Sequence, residues 1–198
     1  MINIIIAIVI SYLLGSISFS YLAGKFLKGI DIREHGSGNA GATNTLRVLG
    51  KGPGFSVFVL DIFKGVLAIW ISAWLVPDSI KVEILCGFAV VAGHNWPLYF
   101  NFKGGKGIAT TIGVMLTLCF LPVIFAGVLA ILIIIITRYV SVGSLLFATV
   151  LPLFIWWMDK PHEILWLSLV VFVFAYVRHR TNIIKLWHGK ENKISFKK

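Results

Sequence analysis

Long apolar runs alternate with short polar segments along the whole of this chain. A transmembrane helix needs about 20 apolar residues to cross the hydrocarbon layer, and most of the runs are near that length. The pattern predicts an all-α protein, a polytopic membrane helical bundle of about seven transmembrane helices, two of them short. The runs cover residues 4–24, 54–76, 80–98, 108–121, 123–137, 141–158 and 163–177.

The two short runs meet at Leu121-Pro122, where we expect a tight hairpin. With seven spans and the N-terminus outside, fifteen of the eighteen Lys and Arg residues face the cytoplasm, as the positive-inside rule requires. Merging the two runs into one span would move Arg138 and the basic C-terminal tail outside. The charge distribution therefore predicts an outside N-terminus and a cytoplasmic C-terminus. Each short arm spans only about 22 Å, so whether it crosses the bilayer fully stays open.

Composition supports one integral-membrane domain over residues 1–198. Hydrophobic residues make up 58% of the chain and the mean hydropathy is +0.92, which is too apolar for a soluble domain. The net charge is +10, and the positive-inside rule accounts for it because most of the lysines and arginines lie on the predicted cytoplasmic side. We therefore expect no nucleic-acid partner. No charge precedes Lys25, which favours a retained first span over a cleaved signal peptide. Cys86 and Cys119 lie in apolar runs without metal-ligand spacing and are interpreted as reduced core thiols.

The predicted orientation places three polar segments on the cytoplasmic face, where they can form one site. The first, GSGNAGATNTLR, runs from Gly36 to Arg47. Its small residues allow close backbone approach, and consecutive N–H groups in such a loop can bind an anion. Arg47 can grip a phosphate through two hydrogen bonds; the alternative is a flexible turn with a surface arginine. The candidates are Ser37 and Arg47 as catalytic residues and Gly38, Asn39, Gly41, Thr43 and Asn44 as substrate-binding residues.

The second segment, FKGGKGIATT, runs from Phe102 to Thr111 and precedes a predicted helix. It differs from a Walker A loop because Gly107, not Ser or Thr, follows the lysine. The segment therefore favours phosphate binding without nucleotide hydrolysis; the alternative is a pair of snorkelling lysines. Upstream, His94 is either a packing residue or a donor to a phosphate or carbonyl oxygen. The candidates are Lys106 as a catalytic residue and Lys103, Gly104, Gly105, Gly107 and His94 as substrate-binding residues.

The third segment runs from His179 to Glu191. On a helix, His179 and Asn182 share a face, and both are candidate catalytic residues, with a surface position as the alternative. Glu191 is interpreted as a structural ion-pair partner of an arginine or lysine.

Two ionisable residues lie inside the second apolar run. Asp61 and Lys64 are spaced i,i+3, and charges within a span are usually paired or functional. They are interpreted either as a mutual structural pair or as a structural Asp61 with Lys64 reaching the substrate.

Other catalytic devices are missing from the sequence. It has no HxxxxD motif, no carboxylate cluster that would hold two metals and no nucleophile elbow. We therefore expect no metal and no cofactor.

These motifs resemble those of the PlsY family, bacterial integral-membrane glycerol-3-phosphate acyltransferases that use acyl phosphate. The family patterns SGNxGATNxxR, GHxxPxxxxFxGGKGxAT and HxxNxxRLxxGxE are similar to Ser37–Arg47, Gly93–Thr110 and His179–Glu191. DxxKG of the second span also fits. Two departures are Ala40, where the family often has proline, and Lys185, where arginine is usual and bidentate geometry is lost. The resemblance covers essentially the whole chain.

The resemblance implies transfer of a fatty acyl group from acyl phosphate to the 1-hydroxyl of sn-glycerol 3-phosphate, at the cytoplasmic face of the bacterial plasma membrane. Its products would be 1-acylglycerol 3-phosphate and inorganic phosphate, in the first acylation step of bacterial phospholipid synthesis. The two Gly-rich loops would cradle the phosphates, with Arg47 and Lys106 neutralising charge. His179 and Asn182 would orient the glycerol. A general base would be His179, with His94 second, or a substrate phosphate oxygen.

Glycerol 3-phosphate, long-chain acyl phosphate and membrane lipid are the expected partners. Transient contact with an enzyme that produces acyl phosphate stays open, as do acyl-chain preference and oligomeric state. The main alternative function is a small-anion membrane transporter, disfavoured because the charges cluster at one face instead of the midplane. A phosphatase or phosphotransferase lacks its metal-binding acids, and a structural scaffold needs no Gly-rich loops.

Overall fold

The computed structural model describes residues 1–194, and the regular structure in that range is entirely helical. This confirms the predicted all-α class. Two 3-10 turns, Ile32–Glu34 and Leu98–Phe100, accompany ten helices. The helices are α1 (Ile2–Gly15), α2 (Phe19–Lys28), α3 (Ala42–Leu49), α4 (Lys51–Leu75), α5 (Ile80–Asn95), α6 (Ile108–Leu118), α7 (Phe120–Thr137), α8 (Val140–Trp157), α9 (His162–Arg178) and α10 (Arg180–Trp187).

Each predicted apolar run is largely helical, but the helices differ in their ability to cross a membrane. Four spans are long and apolar enough: α1 with α2, then α4, α7 and α8. The pair α9 and α10, bent by 57° at its break, makes a fifth if it counts as one span. Helix α5 has 16 residues and α6 has 11, about 24 and 16 Å against a hydrocarbon layer of about 30 Å. The count of seven spans and their orientation stay predictions.

The break between two helices that was predicted at Pro122 lies three residues earlier in the structure. Helix α6 ends at Leu118 and α7 begins at Phe120, so Cys119 forms the break and Pro122 lies inside the first turn of α7. The predicted position was wrong because proline does not disrupt a first turn. A backbone N–H there has no acceptor within the helix, and the fixed φ of proline suits the helical conformation.

The first span is interrupted between α1 and α2. Helix α1 ends at Gly15, and the hydroxyl of Ser18 accepts a hydrogen bond of 3.4 Å from the backbone N–H of Tyr21 to cap α2. Serine is a favoured N-cap because its oxygen satisfies a free N–H of the new helix. The Ile17 carbonyl, released by this break, accepts a hydrogen bond from Lys64 Nζ at 3.0 Å.

The chain packs as two compact units, the first covering Met1–Thr117. In this unit α1 packs on α5 at glycines, because a Cβ at Gly15 would collide with the carbonyl of Val90 and one at Gly93 with that of Tyr12. Helices α4 and α6 approach equally closely. The small residues let neighbouring backbones touch, which is the usual basis of helix association in membranes.

The second unit begins at Leu118 and contains α7 to α10. A Cβ at Gly143 of α8 would lie 2.8 Å from the Ala130 carbonyl oxygen of α7. Helix α8 also contacts α9 through a 3.0 Å hydrogen bond between the hydroxyls of Thr149 and Tyr176. That residues 1–198 act as one membrane domain stays a prediction.

Candidate active site

The Gly36–Gly41 loop of the first unit is built around the side chain of Asn44. Asn44 is fully buried at the start of α3. Its amide nitrogen donates to the carbonyls of Ile32 (3.0 Å) and His35 (2.9 Å), and its oxygen accepts from the N–H of Ser37 (2.8 Å). These contacts make Asn44 part of the framework of the loop; its predicted contact with substrate stays a prediction. The loop turns through Gly38, whose φ of +73° favours glycine.

The Lys103–Gly107 loop packs on the end of α5. The N–H of Gly105 donates to the His94 carbonyl at 3.1 Å, and that of Phe102 donates to the Pro97 carbonyl at 2.9 Å. Lys103 is exposed, whereas Gly105 is buried. The backbone of residues 93–97 (GHNWP) therefore holds the loop through these hydrogen bonds.

The structure brings these two predicted loops together. A Cβ at Gly105 would lie 2.7 Å from the carbonyl oxygen of Ala40, in the first loop, and would also collide with the ring of His94. The candidate residues of the first two polar segments thus share one region of one unit. Arg47 lies in the last turn of α3, the helix that the first loop opens, and Lys106 is half-buried in the second loop.

Arg33 connects the segment before the first loop to the 3-10 turn before the second loop, a contact that the sequence analysis missed. Its guanidinium binds the Asp31 carboxylate through Nε (2.9 Å) and Nη2 (2.7 Å), and Nη1 donates to the Phe100 carbonyl at 2.9 Å. The group lies 4.9 Å from the ring centroid of Tyr21, within cation–π range. Hydrogen bonding to Arg33 lowers the pKa of Asp31, and the same contact raises the pKa of Arg33. An Asp-x-Arg sequence directly before a Gly-rich loop was the available signal.

Asp61, Lys64 and His94 form a buried cluster beneath the second loop. Lys64 Nζ lies 2.7 Å from Asp61 Oδ1 and 2.9 Å from His94 Nδ1. The exposed fractions are 1% for Lys64, 2% for Asp61 and 7% for His94. Asp61 and Lys64 therefore form the mutual pair that their spacing suggested, and Lys64 also contacts His94. That Lys64 reaches the substrate stays a prediction.

The start of α6 adds further buried polar groups. Within residues 1–194, the hydroxyls of Thr110 and Thr111 and the side-chain amide of Asn95 have no hydrogen-bond partner. Asn95 Oδ1 lies against Gly107, where a Cβ would approach it to 2.8 Å. Buried polar groups are normally paired, so these three side chains are an unusual group of unsatisfied polar atoms near the base of the second loop.

The third polar segment lies in the second unit. His179, 3% exposed, occupies the break between α9 and α10, and its Nδ1 lies 2.7 Å from the Ala175 carbonyl oxygen. Since a carbonyl only accepts, Nδ1 carries the proton, which leaves Nε2 of the neutral ring as an acceptor. Asn182 lies in the first turn of α10, and Lys185 is exposed. That this segment joins the other two stays a prediction.

Glu191 has different partners from those predicted. Its Oε1 accepts from Asn182 Nδ2 at 2.8 Å and from the Ser141 hydroxyl at 3.2 Å. Both partners are neutral, so the predicted ion pair with an arginine or lysine was wrong for the part of the chain that the structure describes. Glu191 fixes the side-chain amide of Asn182 by accepting from its Nδ2. The Oδ1 atom of Asn182 therefore points away from Glu191.

The fold and these loops define a multi-pass helical membrane protein whose first unit gathers Gly-rich, cation-bearing loops. Residues 5–189 match the family described as Glycerol-3-phosphate acyltransferase, and the chain belongs to this family. It is similar to the glycerol-3-phosphate acyltransferase of Halalkalibacterium halodurans, at 51% identity over 95% of this chain and 94% of the relative. That of Shouchella clausii is 49% identical over 99% and 98%.

Two solved structures are also similar to this chain. One is PlsY (YgiH), an integral membrane glycerol 3-phosphate acyltransferase, in its glycerol 3-phosphate form. Its TM-score is 0.92 at 37% identity, covering 97% of this chain and 96% of that one. The lysophosphatidic acid form of PlsY gives a TM-score of 0.89 at 36% identity, covering 97% and 95%. These matches confirm the family resemblance carried by the motifs and the helical membrane fold predicted from the apolar runs.

Proposed function

We propose that this protein transfers a fatty acyl group from acyl phosphate to the 1-hydroxyl of sn-glycerol 3-phosphate. The similar proteins are glycerol-3-phosphate acyltransferases, and the structure of one similar protein, PlsY, was solved in its glycerol 3-phosphate form. The observation that carries the proposal is the contact of the two polar loops at Ala40 and Gly105. Two adjoining loops of this kind suit a reaction in which both substrates carry a phosphate.

The proposed reaction needs alignment and charge stabilisation more than covalent catalysis. The hydroxyl oxygen attacks the acyl carbonyl carbon, a new C–O bond forms, and the bond between the acyl carbon and the phosphate oxygen breaks. The products are 1-acylglycerol 3-phosphate and inorganic phosphate. Because acyl phosphate is already activated, holding two anions in register supplies a large part of the catalysis.

The roles proposed for individual residues follow from their types and positions. Backbone N–H groups of the two Gly-rich loops cradle the phosphates, Ser37 adds a hydroxyl, and Arg47 and Lys106 offset the negative charge. His179 and Asn182 are proposed to orient the glycerol. The hydroxyl proton passes to Nε2 of His179 or to a phosphate oxygen of the donor.

The proposed setting is the cytoplasmic face of the bacterial plasma membrane. The acyl chain of the donor lies among the spans, while the charged loops lie at the surface where the phosphates are. The positive-inside distribution of lysine and arginine supports this orientation. An enzyme that makes acyl phosphate would deliver the donor at the same face, and transient contact with it is part of the proposal.

The decisive experiment supplies purified protein with palmitoyl phosphate and labelled glycerol 3-phosphate, without added metal or nucleotide. We expect labelled lysophosphatidate and a matching release of inorganic phosphate. Parallel reactions contain palmitoyl-CoA or a palmitoylated acyl carrier protein instead of palmitoyl phosphate. Product from a thioester alone would contradict the proposed donor, and no product from any donor would contradict the acyl transfer itself.

A further inference from the structure

The buried Lys64 ammonium has an acceptor for each of its three protons. The Asp61 carboxylate oxygen lies at 2.7 Å, the Ile17 carbonyl oxygen at 3.0 Å and His94 Nδ1 at 2.9 Å. A buried charge needs pairing and full hydrogen bonding to be tolerated. The first two partners are a carboxylate and a carbonyl, which are strong acceptors, so the site is built for a protonated lysine.

This arrangement decides which nitrogen of His94 carries the ring proton. A protonated Nδ1 would direct its N–H at the Lys64 ammonium, which has no lone pair to accept it. His94 Nδ1 lies 3.5 Å from Asp61 Oδ1, farther than the 2.9 Å to Lys64 Nζ. Nδ1 is therefore the acceptor of the lysine proton, and the hydrogen of the neutral ring is on Nε2.

Nε2 of His94 is the atom that faces the second loop. A Cβ at Gly105 would collide with it and would lie 2.8 Å from the neighbouring Cε1. The backbone of the same histidine accepts the N–H of Gly105 at 3.1 Å. Both the ring and the main chain of His94 thus support the loop, and the nitrogen presented there is a donor.

We propose that His94 is a positioning residue of the acyl-transfer site, held by the Asp61–Lys64 ion pair as the neutral Nε2–H tautomer. Its link to catalysis rests on the proposed function. In this state His94 orders the Lys103–Gly107 loop and adds a hydrogen-bond donor to it, and it does not act as a base. It is the opposite tautomer to that of a neutral His179, whose Nδ1 donates to the Ala175 carbonyl. The sequence analysis gave His94 as the second candidate for the general base after His179. In this proposal His94 is a positioning residue instead.

The tautomer can be measured without any substrate. The full-length protein, labelled with carbon-13 and nitrogen-15 at histidine, is reconstituted in lipid nanodiscs and examined by solid-state NMR at neutral pH. The signal lost in His94→Gln identifies His94, and we expect a proton on Nε2 alone. In Lys64→Met we expect this preference to be lost. A proton on Nδ1, a doubly protonated ring, or an unchanged signal in Lys64→Met would overturn the proposal.

A pair of amide substitutions tests the positioning role. The side-chain nitrogen of glutamine can replace Nε2 of histidine as a donor, whereas that of asparagine falls near Nδ1. We expect His94→Gln to stay within about fivefold of wild-type kcat and His94→Asn to lose about 100-fold, because a misplaced loop disrupts substrate alignment. At His179, where Nε2 must accept, both substitutions should reduce kcat to a similar extent.

The outcomes separate this proposal from the proposed function. Equal kcat values for His94→Gln and His94→Asn in folded protein would overturn the positioning role. If the wild-type protein transfers no acyl group from any donor, the proposed function fails and so does the catalytic role of His94, whereas the NMR result still decides the tautomer. Size-exclusion profiles and thermal unfolding of each variant show whether a loss of activity reflects misfolding.

Discussion

At the scale of single residues, glycines decide how closely the two polar loops of the first unit approach. Gly105 touches the ring of His94 and the carbonyl of Ala40, so even one methyl group has no room there. The neighbours are a backbone carbonyl and a ring held by an ion pair, and neither can move away cheaply. A larger residue at this position would separate the loops.

Gly105→Ala should therefore impair activity while leaving the membrane fold in place. We expect kcat/KM to fall about 100-fold, because a misplacement of about 1 Å in the loop proposed to bind phosphate disrupts alignment. Steady-state kinetics with acyl phosphate and glycerol 3-phosphate measure the effect. Gly52→Ala is the matched control, because nothing lies within 4 Å of a Cβ at Gly52. A Gly105→Ala enzyme with wild-type kinetics would show that the loops are not fixed by this contact.

The Asp31–Arg33 pair gives a dependence on pH. Because Arg33 lowers the pKa of Asp31 from 3.8, the pair stabilises the folded state above that pH, and its contribution is lost as pH falls through the lowered pKa. Asp31→Asn should lower the unfolding midpoint at pH 7 by an amount worth under about 1 kcal/mol, since the pair is partly exposed. At about pH 3 the difference should shrink.

Thermal unfolding in detergent at both pH values measures this effect. Asp159→Asn serves as a control, since Asp159 is exposed and forms no ion pair within residues 1–194. A deficit of Asp31→Asn that is equal at both pH values would contradict the assignment.

The binding chemistry of the polar segments could be predicted from their residue types, but the residues that these side chains contact could not. Glycine, serine and lysine at the start of a helix indicate an anion site through local chemistry alone. The roles of Asn44 and Glu191 depend on contacts with residues that the chain brings back from elsewhere. Spacing along the sequence shows that Asp61 and Lys64 can pair, but it gives no sign that His94, thirty residues later, completes the cluster.

At the scale of helices, close approach between α4 and α6 holds the base of the second loop. A Cβ at Gly113 of α6 would collide with the Ile62 carbonyl of α4, and one at Gly65 would collide with the Thr110 carbonyl. These contacts place the start of α6, and with it the Lys103–Gly107 loop, against the span that carries Asp61 and Lys64.

Gly113→Ala should destabilise the protein by about 1–3 kcal/mol, the usual cost of overpacking a tight contact. Gly127→Ala is the control, because a Cβ at Gly127 in the middle of α7 meets nothing within 4 Å and alanine favours helix. We expect a lower unfolding midpoint for the first variant and an equal or higher one for the second. Equal midpoints for Gly113→Ala and wild type would show that the helices can separate at little cost.

Helix positions were predictable because long apolar runs have few alternatives in a membrane. Helix ends were less so. The break at Cys119 carries no glycine or proline of its own, and the nearby Pro122 attracted the prediction although a first turn accepts proline. The interruption after Gly15 lies within the first predicted apolar run, where Ser16, Ser18 and Ser20 lower the hydropathy too little to mark a break.

At the scale of the whole molecule, orientation in the membrane is the remaining prediction from charge. Cysteine labelling can test it, because native Cys86 and Cys119 are buried and should react little. We expect Lys190→Cys to react with a membrane-impermeant maleimide only from the cytoplasmic side, and Lys81→Cys only from outside. Both lysines are exposed, which makes them a matched pair. Labelling of Lys190→Cys in intact spheroplasts would reverse the predicted orientation.

The interruption in the first span has a consequence for the chemistry below it. In one continuous helix the carbonyl of Ile17 would accept the N–H of Tyr21, which bonds to Ser18 instead. Straightening this segment would commit the Ile17 carbonyl to the Tyr21 N–H and point it along the helix axis, which would weaken its hydrogen bond to the buried Lys64 ammonium. The break between α1 and α2 and the buried charge of Lys64 in α4 therefore depend on each other. A substitution that makes the first span one continuous helix should be selected against for as long as Lys64 is present.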